Sequence, residues 1–122
     1  MPVLNINWLN LPEEQDYPAA MSYLNLIHDN HTSENLTQQL KNAQMTTFKA
    51  KDIFRASNLS LLGISNSHVE KNISKVKGNK PLSPILLVRD QTNGKVVIAD
   101  GYHRLCAVYF LNEDALIPCK IV

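Results

Sequence analysis

Two hydrophobic rhythms divide the chain. Up to about residue 80, apolar residues recur at helical spacing; beyond it they gather in blocks of strand length. Asp16-Tyr17-Pro18 opens a helix, because proline in a first turn gives up an N–H that has no partner there. Met21, Leu24 and Ile27, with Tyr23 beside them, give that helix one apolar face up to about His28. Asp29-Asn30-His31-Thr32 reads as a polar connection, and a second helix begins near Ser33 with Leu36, Leu40 and Ala43 at helical spacing. Gln44 to Phe48 reads as a short strand. Lys49 to Asn58 reads as a helix with Ile53, Phe54 and Ala56 apolar and Asn58 as its stop. The loop Leu59 to Gly63 is too apolar to stand free in water and is expected to pack down. Ser67-His68-Val69-Glu70 has the form of a capping box, in which hydroxyl and carboxylate satisfy two orphan N–H groups. Val69, Ile73 and Val76 follow at i, i+4 and i+7, and Gly78 closes the helix.

From Lys80 the pattern changes. Pro81-Leu82-Ser83-Pro84 leads into Ile85-Leu86-Leu87-Val88, Asp90 to Gly94 carries hairpin-turn chemistry, and Lys95 to Ala99 is the returning strand. Asp100-Gly101 ends that strand, and Tyr102 to Leu111 reads as a buried helix broken by Asn112-Glu113-Asp114. Leu116 to Val122 is a last strand, expected at a sheet edge because Pro118 cannot donate to a ladder. The predicted fold is α/β of the α+β type: a small mixed sheet with surrounding helices. Residues 1–122 form a single domain, with 1–45 as a helical N-terminal extension and 46–122 as the core.

Composition narrows the class. With 122 residues, 44% hydrophobic and 19% charged, the chain can bury a core without staples. No segment approaches the ~20 continuous apolar residues of a membrane span, so no membrane partner is expected. The start lacks a basic and an apolar signal region, and Cys106 and Cys119 make no disulfide framework; both point to the cytoplasm. A net charge of +1 argues against a strongly basic nucleic-acid binder. The charge is nevertheless uneven: residues 1–40 carry five acids and no Lys or Arg, and the other 82 carry twelve bases and six acids. That split fits an acidic layer against a mildly basic core, or a basic site for an anionic ligand.

The chemistry concentrates in Ile98-Ala99-Asp100-Gly101-Tyr102-His103-Arg104. A strand runs through an Asp-Gly turn into a helix, whose first N–H groups and positive dipole end form a ready anion site. Gly101 has no Cβ, so a ligand can approach the backbone, and Arg104 offers a planar fork that matches phosphate oxygens. Cations in a first turn cost about 0.3–1 kcal/mol when exposed, so helix stability alone does not account for His103 and Arg104. The plain alternative has Asp100 capping the helix and Arg104 paired with a nearby carboxylate.

The stretch from about Ile73 to Val122 resembles the ParB/sulfiredoxin superfamily. Gly78-Asn79-Lys80-Pro81-Leu82-Ser83-Pro84 followed by Ile85 to Val88 is similar to that family's first box, and Val96 to Ala107, with Gly101-Tyr102-His103-Arg104 inside it, to its second. Ile117 to Val122 is similar to its closing strand. The resemblance implies a nucleotide or phosphate pocket with Gly101, His103 and Arg104 as cradle, Ser83 and Pro84 as the opposing wall, and Lys80 nearby. It implies ATP or CTP with Mg²⁺ as cofactor and, if the domain is catalytic, phosphoryl transfer or nucleotide hydrolysis. Tyr102 stands where sulfiredoxins carry their reactive Cys, which argues against their chemistry. The partition proteins continue into a DNA-binding domain and this sequence ends at Val122, which argues against partitioning. The family's kinases draw a catalytic carboxylate from elsewhere, which the sequence does not place.

The expected function is therefore binding of a nucleotide or other phosphate-bearing ligand at Asp100 to Arg104. The amides of Tyr102 and His103 would hold phosphate, Asp100 would cap the helix or hold Mg²⁺, and Tyr102 would stack on the ligand. The alternative is a non-enzymatic module for nucleic acid or protein with a vestigial anion site. Lys71, Lys75, Lys77 and Lys80 form a basic run that is either a solvated face or a guide for an anion. Ser67 and His68 sit at another helix start as a second phosphate contact. Cys106, three residues after His103, is a candidate nucleophile or a small buried hydrophobe. His28 and His31, with Asp29 between them, sit i, i+3 across a polar connection with no third ligand in reach, so no metal site of the protein's own is expected. The first 40 residues are left to cover the pocket or to build a homodimer contact.

Overall fold

The computed structural model describes residues 5–60, 63 and 66–122. The order is α1 (Asp16–Leu24), α2 (Asn30–Asn42), β1 (Thr46–Lys49), α3 (Ala50–Ser57), α4 (Ser67–Lys77), β2 (Ile85–Asp90), β3 (Lys95–Asp100), α5 (Tyr102–Leu111) and β4 (Leu116–Ile121). The four strands form one mixed sheet in the order β1-β4-β2-β3, an α+β fold. β1 and β3 pair antiparallel with their neighbours, and β4 runs parallel to β2.

Strand alternation explains how both faces are covered. Along β2, Ile85 and Leu87 join one core with Ile53, Val69, Leu105 and Ile117, which packs α3, α4 and α5 on one face. Leu86 and Val88 point the other way and meet Tyr17, Ala20, Leu24 and Leu40 from α1 and α2. A strand buried on both sides reads as a continuous apolar run, which is what Ile85 to Val88 is. The N-terminal extension thus supplies the second cover of the sheet.

Several local expectations change. β4 is interior, between β1 and β2. Pro118 is tolerated because the β4–β2 ladder starts only at Cys119. α1 stops at Leu24, and Ile27 is half exposed, while Tyr17 and Ala20 fill the buried face. α2 begins at Asn30, because Asp29 is its N-cap and accepts from the Thr32 amide at 2.8 Å. Asn66, not Ser67, caps α4: its side chain accepts from the His68 and Val69 amides at 3.0 and 3.2 Å. Gly78 ends α4 with a negative φ, and Asn79 takes the left-handed conformation at φ 57°. The Asp90–Gly94 turn and the Asn58 stop (φ 57°) are as predicted. In the 59–63 loop, Leu59 is 40% exposed, and Leu61 and Leu62 lie outside the described residues.

Residues 5–15, which no pattern assigned, run beside the loop that enters β2. Trp8 and Leu82 form a parallel bridge, with the Leu9 amide donating to the Leu82 carbonyl and the Leu82 amide to the Asn7 carbonyl, each at 2.9 Å. This pairing brings Glu13 and Asp16 against the strand–helix turn at Gly101. No helix among the described residues is long and apolar enough to cross a membrane.

Candidate functional site

A cleft of about 270 Å³ opens where the first turns of α1, α4 and α5 converge. α1 contributes Asp16, with Glu13 and Gln15 just before it; α4 contributes His68, Lys71, Asn72 and Lys75; α5 contributes Tyr102, His103 and Arg104. Asp100, Gly101 and the 81–83 loop close the wall. Three acids face three bases across this space, with two histidines besides. A second hollow of about 400 Å³ lies on the other side of Asp100 to His103, lined also by Ala19, Tyr23, Leu59, Ile98 and Ala99.

The turn itself follows from local sequence. Gly101 is the N-cap of α5 at φ 110°, a conformation that disfavours any side chain, and no side chain caps the helix. Its missing Cβ has a packing cause: a Cβ would come within 2.8 Å of Ile85 Cγ1 and 3.0 Å of Arg104 Nη2. The glycine lets the helix sit close on β2, a different reason from the ligand approach expected of it.

Arg104 is turned inward. Its Nη2 donates to the Asp100 carboxylate at 3.0 Å and to the Pro84 carbonyl at 3.3 Å, and lies 4.0 Å from Asp16 Oδ2. Its Nε is buried with no partner among the described residues. Asp100 therefore neither caps α5 nor stands free for Mg²⁺; from the end of β3 it neutralises Arg104 in the first turn of α5. Burial pushes the Asp100 carboxyl above its usual range; Arg104 opposes that and the neighbouring Asp16 reinforces it. Asp16 is held in turn by the Ser83 hydroxyl, which donates to it, and by the Glu13 amide at 3.1 Å. Ser83 also accepts from the Glu13 amide at 3.2 Å, so its hydroxyl is spent on the N-terminal segment.

His68 and His103 meet across the cleft wall, with ring centroids 4.8 Å apart at 46°. Burial, then His68, then Arg104 hold the His103 imidazole below its ordinary pKa. Tyr102 packs its ring against His103 at 5.6 Å and donates its hydroxyl to the Ser60 carbonyl. Burial and Cys106 raise its phenol.

Of the sequence-predicted residues, the fold brings Ser83, Asp100, Gly101, Tyr102, His103, Arg104 and His68 to one cleft, together with Lys71 and Lys75 of the basic run. Lys80, Lys77, Pro84 and Ser67 do not line it; Pro84 enters only through the carbonyl that binds Arg104. Cys106 is fully buried in the core beside Tyr102, and burial lifts the Cys119 thiol to about 11. Glu13 and Asp16 were missed. The only sequence signal for them is the acidic bias of the first 40 residues, which becomes local once the Trp8–Leu82 bridge is made. Among the described residues, no three or more His, Cys, Asp or Glu side chains are placed so that they could hold a metal ion together. No protein-family model, no curated protein and no solved structure matches this chain.

Proposed function

We propose that the cleft binds the phosphate of a nucleotide or of another phosphate-bearing small molecule. The carrying observation is the convergence, on one 270 Å³ space, of the uncapped start of α5 with Lys71, Lys75, His68 and His103. Those four side chains take the neutralising role expected of Arg104, which serves instead as the internal strut under the turn. The uncapped first turn of α5 favours an oxyanion, and lysines one helical turn apart on α4 offer point charges on the opposite side. The space suits a phosphate with a small attached group. A nucleotide would extend past Gly101 toward the hollow beside Tyr23 and Tyr102, a placement supported by the two openings sharing Asp100 to His103. Because Asp100 is tied to Arg104, any Mg²⁺ would arrive on the ligand's own phosphates. The resemblance to the ParB/sulfiredoxin superfamily favours the same reading.

A second reading, a non-enzymatic module whose anion site is vestigial, is favoured by the self-neutralised Asp16–Arg104–Asp100 cluster. A thermal-shift screen with ATP, CTP, ADP and pyrophosphate, with and without Mg²⁺, separates the two. Binding raises the melting temperature of the wild type and loses that effect in a Lys71→Gln/Lys75→Gln double variant. A melt unmoved by every one of these anions at millimolar concentration sinks the ligand reading and leaves the module.

A further inference from the structure

We propose that His68 and His103 act as one proton-accepting pair, so that an oxyanion entering the cleft is bound together with a proton. The proposal rests on the anion reading above and goes beyond it by coupling the two imidazoles and by making binding depend on pH.

The geometry is that of two imidazoles delivered by different helices to one wall. His68 stands in the first turn of α4 and His103 in the first turn of α5, their rings 4.8 Å apart and both facing the same cleft. Two imidazolium charges at that separation repel, so the empty pair resists full protonation. The surrounding charges push the same way. Lys71 and Lys75 of α4 and Arg104 of α5 oppose added positive charge. Of the carboxylates, Asp16 of α1 is engaged by Ser83 and Asp100 of β3 by Arg104, which leaves Glu13 as the exposed acid on the rim. The lowered His103 pKa agrees with a ring that is neutral in the empty cleft at neutral pH.

An oxyanion placed between the lysines and the ring pair reverses that balance. It supplies the negative charge that the pair lacks and accepts a hydrogen bond from a ring N–H, and protonation then gains a charge-assisted bond. The proton comes from solvent and forms the second ring N–H; no other covalent bond changes.

Sulfate is the probe, because its own charge is constant where imidazoles titrate. Calorimetric titration of the wild-type chain with sodium sulfate, from about pH 5.5 to about pH 8 in two buffers of unlike ionisation enthalpy, reads affinity and proton uptake together. Affinity is expected to be about tenfold weaker at the higher pH, with up to about half a proton taken up per sulfate in the imidazole range. His68→Gln, a change at an exposed position, is expected to flatten the pH dependence, as is His103→Gln. Imidazole resonances followed by NMR should titrate at higher pH with sulfate than without. Sulfate binding of equal strength across the range, with no buffer-dependent heat, overturns the proton-linked pair and leaves the anion reading standing. So does a pH dependence that both histidine variants retain in full. No heat and no imidazole shift at any pH sinks the pair and the anion reading together.

Discussion

Arg104 and Asp100 sit four residues apart with Nη2 3.0 Å from Oδ2, both side chains less than a fifth exposed. The pair straddles the N-cap glycine of α5, so it joins the end of β3 to the helix that follows. Removing a partner from such a pair leaves an uncompensated charge. Arg104→Ala is expected to cost about 2–3 kcal/mol, somewhat below the figure for fully buried pairs because some solvent reaches the site. Urea denaturation checks this. Because burial raises the Asp100 pKa, acidification neutralises the stranded carboxylate first, and the loss should shrink as the pH falls toward the carboxylate range. An equal loss at every pH would contradict the role of Asp100 as its partner.

The Ser83 hydroxyl and the Asp16 carboxylate link the N-terminal layer to the entrance of β2, both residues at most 6% exposed. Each also meets the Glu13 amide. A buried hydrogen bond to a charged acceptor contributes about 1.5–3 kcal/mol, so Ser83→Ala and Asp16→Asn should each destabilise within that range. The double variant should cost less than the two losses added together, because the partners share one bond. A double-mutant cycle by denaturant titration measures the coupling, and strict additivity would show that the contact carries no energy.

The sheet-forming half of the chain was legible because its signals are local. The Asn93-Gly94 turn, the apolar run of β2 and the Asp-Gly break before α5 each state their conformation in adjacent residues. The placement of β4 was not, because proline argues only against donating to a ladder and says nothing about where a neighbouring strand begins. At the site, the sequence singled out the Asp100–Arg104 turn and left Arg104 between a phosphate and a nearby carboxylate; the fold supplies the carboxylates. The carboxylate that approaches Arg104 from afar, Asp16, arrives through the pairing of Trp8 with Leu82, a contact that leaves no periodic trace. The imidazole pair was invisible for a similar reason: His68 and His103 meet only because α4 and α5 pack together.

Gly101→Ala tests the close approach of α5 to β2. The added Cβ would lie 2.8 Å from Ile85 Cγ1 and 3.0 Å from Arg104 Nη2, on a backbone at φ 110°. Strain at such a conformation costs about 1–3 kcal/mol, and the clash with a fully buried isoleucine adds to it. The expected result is a lower melting temperature with the Arg104–Asp100 bond disturbed. Ile85→Ala should cost less in the Gly101→Ala background than in the wild type, since it removes both γ-carbons that the added Cβ meets. A variant as stable as the wild type would mean that the turn has room the geometry denies.

His103 makes stability depend on pH in a direction that can be worked out. Its pKa is lowered in the folded chain, first by burial, then by His68 and Arg104. The unfolded chain, with an ordinary imidazole near 6.5, therefore binds more protons as the pH falls through that value. Stability from this residue is fully present above about pH 6.5 and declines below it, down to the lowered folded pKa. Asp100 acts with the opposite sign at lower pH: its raised pKa makes the folded chain the better proton binder, so it loses stability as the pH climbs above 3.8. One window runs down from the ordinary imidazole value and the other up from the ordinary carboxylate value, so the His103 variant is what tells them apart. Denaturant midpoints for the wild type should rise between about pH 5 and about pH 7, and His103→Gln should flatten that rise while leaving the acid limb intact. A variant with the full wild-type slope would assign the dependence to another group and remove the charge crowding inferred for the paired rings.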